Sequence, residues 1–175
     1  SINSIGQKQA AAFYEKYKGI PFDKIYTSNL IRTEQTVQAF IQDGIPYEKL
    51  EGLDEISWGI SEGKDLNDKM LVDFERIVAA WSNKELDIKI QEGESPNELQ
   101  YRQKKAMDYI MSKPHEKTVL VCTHGRAMRS LLCYLTNTCL SKMDDFEHSN
   151  TALYVLRHQE GIFEIVEHYN TEHLK

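Results

Sequence analysis

The sequence predicts a three-layer α/β/α domain with a mainly parallel sheet. Three observations carry that expectation. Short β-branched and apolar runs alternate with longer runs whose apolar positions recur every three or four residues. Two of the short runs pass through a polar turn directly into a helical run, as the strands of open α/β sheets do. No internal repeat, low-complexity tract or linker interrupts the 175 residues, so one domain is expected over 1–175.

Each element has a local cause. From Ser4 to about Lys18, Ala10, Ala11, Phe13, Tyr14 and Tyr17 form an apolar stripe, and Ser4 with Gln7 has capping-box spacing. Lys24 to Ser28 reads as a short strand. Leu30 to about Gln42 returns to helical spacing through Ile31, Val37, Phe40 and Ile41, before the Asp43-Gly44 stop. A brief strand is expected near Tyr47 to Leu50. Residues 51 to 64 carry Gly52, Gly59 and Gly63 among polar and aromatic residues, which suits an ordered loop. Leu66, Met70, Phe74, Ile77, Val78 and Trp81 then mark an amphipathic helix. Ser95-Pro96-Asn97-Glu98 joins an N-cap, a proline at the first helical position and a glutamate three residues on, so a helix should run to about Ser112. Thr118 to Cys122 has the apolar character of a strand covered on both faces. Ala127, Met128, Leu131, Leu132 and Leu135 give the next helix. Thr151 to Leu156 and Ile162 to His168 read as a hairpin around Glu160-Gly161.

Composition narrows the function. At 41% hydrophobic and 27% charged residues the chain is ordinary for a globular protein. A net charge of −6 and a pI near 5.5 argue against nucleic acid as a partner, because that binding leans on a cationic surface. No run approaches the ~20 apolar residues of a membrane span, so no membrane partner is expected. Cys122, Cys133 and Cys139 are odd in number and lack metal-site spacing, which fits reduced thiols in the cytoplasm.

Three segments hold residues suited to chemistry. His124 lies where a strand meets a helix, and Gly125 after it lets backbone approach an anion beside a helix N-terminus. Arg32 occupies the first turn of the helix after Lys24–Ser28, where its planar fork can grip phosphate oxygens. Glu55 sits in a loop beside Ile56 and Trp58, and partial burial there would raise a carboxyl pKa towards that of a general acid. Each also has a plain structural alternative: a turn-capping histidine, a surface arginine, a solvated glutamate. For Glu62 the solvated reading is preferred, and Trp58 and Trp81 read as packing residues.

In order along the chain, Ser28-Asn29-Leu30-Ile31-Arg32-Thr33 with Gln35-Thr36, Leu53-Asp54-Glu55 with Glu62-Gly63, Gly93-Glu94-Ser95 with Arg102, Thr123-His124-Gly125, and Asn150-Thr151-Ala152 resemble the histidine phosphatase superfamily, in its phosphoglycerate mutase-like branch. The resemblance implies a phosphomonoester hydrolase acting through a phosphohistidine. Arg32 and Gly125 would then bind the phosphoryl group, His124 would donate to it, and Glu55 would protonate the leaving group. It implies no cofactor and no metal, and a small phosphorylated partner. Gly93-Glu94-Ser95 is also accounted for by helix capping. One departure stands out: the family's nucleophilic histidine lies in an Arg-His-Gly motif on the first, central strand, and that motif does not occur in this chain. A strand and loop of roughly 15 to 25 residues ahead of Ser1 are expected to supply it, since two interior strand edges would otherwise stay unpaired. His148, in a loop before a strand, is a distant substitute. Two alternatives remain: a phosphoglycerate mutase, and a non-catalytic phospholigand-binding module lacking the nucleophile.

Overall fold

A computed structural model describes residues 1–63 and 68–175. Leu66, expected to open the third helix, lies outside them. The elements in order are α1 (Ser4–Tyr17), β1 (Lys24–Thr27), α2 (Ile31–Gln42), β2 (Tyr47–Lys49), α3 (Asp68–Ser82), α4 (Pro96–Met111), β3 (Val119–Cys122), α5 (Gly125–Leu135), β4 (Leu153–Gln159) and β5 (Ile162–Asn170). Short 3-10 turns at Glu51–Leu53 and Gly59–Ser61 shape the loop between β2 and α3.

The sheet order β2-β1-β3 is parallel throughout, with Ile25 opposite both Tyr47 and Leu120, and Thr27 opposite both Lys49 and Cys122. Alternating side chains divide between the two faces, as the pleat requires. Ile25 and Leu120 pack with Phe13 of α1 and with Val37 and Phe40 of α2. Tyr26 of β1, with Val119 and Val121 of β3, joins Met107 and Ile110 of α4 and Leu131 of α5 on the opposite face. That is the three-layer arrangement. A third cluster, built on Ile56, Ile77, Trp81, Leu99, Leu132 and Met143, ties α3 to α4 and α5.

The hairpin β4–β5 is antiparallel and forms its own sheet, with Glu160 and Gly161 both at positive φ in its turn. Leu153 packs with the cluster around Leu120, and Phe163 with the cluster around Val119 and Val121, so the hairpin lies beside the main sheet. Among the described residues β3 pairs only with β1 and β4 only with β5. Each therefore keeps an unpaired edge, and Val119, Val121, Cys122, Leu153 and Val155 are only half-buried.

Three local expectations change. The α1 cap is Asn3, whose Oδ1 accepts from the Gly6 amide, and Ser4 becomes the first helical residue. Asparagine is as good a cap as serine, and here its backbone is extended. Strand β4 begins at Leu153 because Thr151 takes a left-handed conformation, its hydroxyl donating to the Asn150 carbonyl. It also runs on to Gln159, where hairpin pairing continues. The capping box of α4 is present as expected, Ser95 and Glu98 each bonding the other's backbone amide.

Close backbone contact locks the loop that leads into the site. Ile60 donates to the Gln91 carbonyl at 3.1 Å and Glu94 donates to the Ser57 carbonyl at 2.8 Å. Gly59 sits at φ +52°, and a Cβ there would lie 2.1 Å from the Gln91 oxygen and 2.4 Å from the Gly93 nitrogen. Gly59→Ala should therefore cost about 3 kcal/mol or more in urea unfolding. Gly161→Ala, also at positive φ but in open space, should cost clearly less.

Candidate active site

The parallel pairing of β1 with β3 sets two strand tips side by side, and the residues that follow each tip converge. Ser28 follows Thr27, Arg32 lies in the first turn of α2, and His124 caps α5 two residues beyond Cys122. The Arg32 Nε donates to His124 Nδ1 at 2.9 Å. On the other side of the ring, Nε2 lies 2.7 Å from the Ser28 hydroxyl.

Those contacts fix the ring's protonation pattern. Arginine is always a donor, so Nδ1 is the acceptor and Nε2 carries the proton, donated to Ser28 Oγ. Ser28 Oγ also accepts from the Leu30 amide at 3.1 Å, which leaves its own proton for Thr33 Oγ1 at 3.0 Å. The Thr33 hydroxyl passes its proton to the Leu30 carbonyl at 2.9 Å. Ser28 is fully buried and His124 is 7% exposed. Burial, then the nearby charges of Arg32 and Arg102, push the histidine's pKa down to about 3. It is neutral near pH 7.

Glu55 meets this group from the loop after β2. Its Oε1 accepts from the Ile56 and Ala127 amides at 2.9 and 2.8 Å, and its Oε2 from the Arg126 amide at 3.2 Å. Two of those donors belong to the first turn of α5, where the helix dipole favours negative charge. The loop itself is clamped by Arg102 of α4. Its guanidinium forms a two-point pair with Glu94 at 2.7 and 2.8 Å and donates to the carbonyls of Glu51, Asp54 and Glu55 at 2.9 to 3.0 Å. Asp54 Oδ1 accepts from the Asn29 amide at 2.7 Å, and Thr123 donates to the Leu53 carbonyl at 2.8 Å. The loop is thus bonded to both strand tips.

Arg32 and Glu55 line a cleft of about 590 Å³ that continues along Leu30, Ile56, Trp58, Phe74 and Ile90. His124 lies behind Arg32 and does not line it. Gly125 opens α5, and a Cβ there would sit 3.0 to 3.2 Å from the ring of His148. The imidazole of residue 148 therefore covers the glycine, and burial lowers its pKa. Arg126 and Arg129 both pair with Asp144, and Arg129 also donates to the Phe146 carbonyl, so neither adds a free cation. Glu62 is exposed as expected, and accepts from the Trp58 amide at 3.0 Å. Cys122, Cys133 and Cys139 are free thiols, and burial pushes the first up to about 12.

Arginine, histidine and glutamate thus meet beside the strand ends of a parallel sheet, where open α/β sheets bind their ligands. The sequence profile of the histidine phosphatase superfamily, branch 1, matches residues 1–171. The chain belongs to that superfamily. It is 26% identical over 163 residues to phosphoserine phosphatase 1 of Hydrogenobacter thermophilus, covering 91% of this chain and 75% of that protein. It is also 30% identical over 125 residues to 6-phosphofructo-2-kinase/fructose-2,6-bisphosphatase 1 of Rattus norvegicus, matching 71% of this chain but only 25% of that longer protein. In structure it is similar to the alpha-ribazole phosphatase of Shigella flexneri, with a TM-score of 0.85 at 19% identity over 97% of this chain and 84% of that one. A mycobacterial glucosyl-3-phosphoglycerate phosphatase in complex with inorganic phosphate gives 0.84 at 16% identity over 99% and 89%. At those identities the structural likeness speaks for the histidine phosphatase fold.

Residue-by-residue reading of the sequence singled out Arg32, His124, Gly125 and Glu55, and the fold brings all four together. It missed Ser28 as the partner of His124, and it missed the clamp of Glu94 and Arg102. Glycine-glutamate-serine before α4 read as a cap, and Ser95 does cap, but Glu94 has the separate task of holding Arg102. The signal was an arginine seven residues past the cap, two turns along α4 and on the same face as the capped end.

Linkage gives this group a pH signature. The folded pKa of His124 lies below its ordinary 6.5, so the unfolded chain binds the proton more readily. The contribution is complete above pH 6.5 and is lost as pH falls from 6.5 towards 3, with a slope of up to about 1.4 kcal/mol per pH unit. His148 and His173, lowered chiefly by burial, act in the same direction. Denaturant melts between pH 6.5 and 5 should show a shallower fall in His124→Gln than in the wild type. Ser28→Ala, which strands a buried N–H, should cost about 1 to 3 kcal/mol at pH 7. An unchanged slope in the first variant would rule out the buried neutral ring.

Proposed function

We propose that the chain works as a phosphomonoester hydrolase through a phosphohistidine, with Arg32, His124, Gly125 and Glu55 in its active site. The observation that carries this reading is the contact between Arg32 and His124, with Arg32 and Glu55 lining one cleft. On binding, the phosphoryl oxygens take over the Arg32 guanidinium and draw the His124 ring towards them, while the backbone of Gly125, at the start of α5, would contribute on the side that His148 leaves open. Phosphoryl transfer asks mainly for positioning and for stabilisation of the equatorial oxygens, so these groups suffice without a metal. Glu55, held as a carboxylate by three amides, takes the proton carried by a monoanionic phosphate ester and passes it to the departing alkoxide as the phosphorus–oxygen bond breaks. It then takes one from the water that frees the enzyme.

The phosphoryl acceptor in this scheme is an imidazole on a further strand seated between the unpaired edges of β3 and β4. That seat would place its tip beside Arg32 and His124, both of which follow strands of the same sheet. Free thiols, including exposed Cys139, suit a reducing compartment such as the cytoplasm. A mutase would have to grip a second anionic group, and among the described residues Arg32 is the only cation lining the cleft.

In the full-length protein, Arg32→Ala and His124→Ala should each lower turnover of p-nitrophenyl phosphate by about 10²-fold or more, with chelator making no difference. Wild-type rates in either variant would refute the assignment. Glu55→Gln separates the acid from the binding groups. p-Nitrophenolate departs without a proton, so that substrate should be little affected, whereas an alkyl phosphate should lose about 10²- to 10⁴-fold. Equal losses on both substrates would remove Glu55 from that role.

A further inference from the structure

At the open end of the hairpin, two turns meet against α1 and share one buried histidine. His173 lies in a 3-10 turn, Glu172–Leu174, that follows β5. It is 9% exposed, and its ring packs edge-on with Phe13 at 5.2 Å and Tyr17 at 5.8 Å between centroids. Its Nε2 lies 2.9 Å from the Thr151 hydroxyl. That hydroxyl already donates to the Asn150 carbonyl at 2.7 Å, so it accepts from His173, and Nε2 carries the proton.

The backbone on both sides of this contact is strained. Thr151 has φ +57°, a left-handed conformation that a β-branched residue rarely takes. Such a conformation persists only while its surroundings impose it, and His173 is one of the two partners of the Thr151 hydroxyl. Tyr169, at φ +46°, precedes Asn170, which stands opposite Leu153 at the same end of the hairpin. The Glu172 amide donates to Asn170 Oδ1 at 2.8 Å, which hangs the histidine's turn from that strained end.

The titratable groups around the ring are Lys16 and Tyr17 on α1, Glu172 in the turn itself and Glu167 on β5. Lys16 and Glu172 pair at 3.6 Å, but both are roughly half exposed, so that pair adds little hold. Burial, then the Lys16 ammonium, keep the His173 pKa below its ordinary 6.5, the bond to Thr151 acting the other way. A released ring thus takes up a proton more readily than a docked one. The docked state is complete above pH 6.5 and weakens as pH falls below it, by up to about tenfold per pH unit until the docked value is reached.

We propose that His173 is an acid-released latch: neutral, it pins its own turn and the Thr151 turn to α1, and protonated, it lets both go. The strain at Thr151 and Tyr169 then works for opening. Release also frees the segment from His148 to Thr151, whose far end lies over Gly125. The latch does not depend on the reaction proposed above.

Amide hydrogen exchange in the full-length protein tests it. The reporters are Leu174, which donates to the Thr171 carbonyl at 2.9 Å, and Ala152, which donates to the Ser149 carbonyl at 3.1 Å. Relative to the Ile25 amide, held by the Pro46 carbonyl in the main sheet, both protection factors should fall together by about tenfold or more between pH 7 and pH 5. His173→Gln still donates to Thr151 but does not titrate, and should keep the ratio constant over that range. If the glutamine variant fails to fold, the ring proton resonance of His173 in the wild type decides, since its titration should share a midpoint with the loss of Leu174 protection. A flat ratio in the wild type, an equal fall in the glutamine variant, or a ring that titrates while protection holds overturns the latch.

Discussion

The register between β1 and β3 is the constraint on which the site depends. Thr27 stands opposite Cys122, so the turn that holds Ser28 and the turn that holds His124 leave the sheet at the same level. Because side chains alternate along a strand, a slip of one residue would exchange the faces of Tyr26 and Val121 with those of Ile25 and Leu120. It would also carry the imidazole about 3.3 Å along the strand axis, beyond reach of both Arg32 and Ser28. The two clusters that flank the sheet therefore do more than stabilise it. By demanding a particular face for each apolar side chain, they set where the polar tips fall.

With the tips in place, the loop bearing Glu55 has to be brought to them, and it has little core of its own. Leu53 and Ile56 are buried anchors, but the carboxylate between them is positioned by backbone donors and by Arg102. A single guanidinium satisfies three carbonyls of that loop and is itself neutralised by Glu94. The pairing is two-pronged and mostly shielded, the setting in which an ion pair holds geometry well. It also spends the positive charge of Arg102 inside the protein.

Much of this was legible in the sequence because burial imposes periods. The helices and strands emerged from Phe13, Val37, Phe40, Trp81 and Leu131, and the parallel sheet from apolar runs that end at Ser28 and Thr123. The choice of Asn3 over Ser4 as a cap was not legible, since both side chains can do the same job and the turn before the helix decides. Nor was the link between His124 and Ser28, because the two stand 96 positions apart and are related only by strand pairing. At Gly125 a structural reason for glycine was hidden from the sequence: the ring that excludes a side chain there belongs to His148, in a distant loop. Local rules find elements and candidate chemistry, whereas long-range partners need the register.

The anion end and the remainder of the cleft are built by different means, and this bears on how such a site can vary. Arg32, His124 and Glu55 hang from strand tips and a helix N-terminus whose hydrogen bonds are nearly all internal and mutually dependent, so changing one leaves another buried and unpaired. The apolar wall comes from the loop around Trp58, from α3 and from the segment before α4, joined to the core through Trp81 and Ile77. Its members touch one another through rings rather than through directed bonds, and volume-conserving exchanges among apolar side chains are tolerated. The wall can therefore change shape and polarity while the phosphoryl-binding geometry stays fixed.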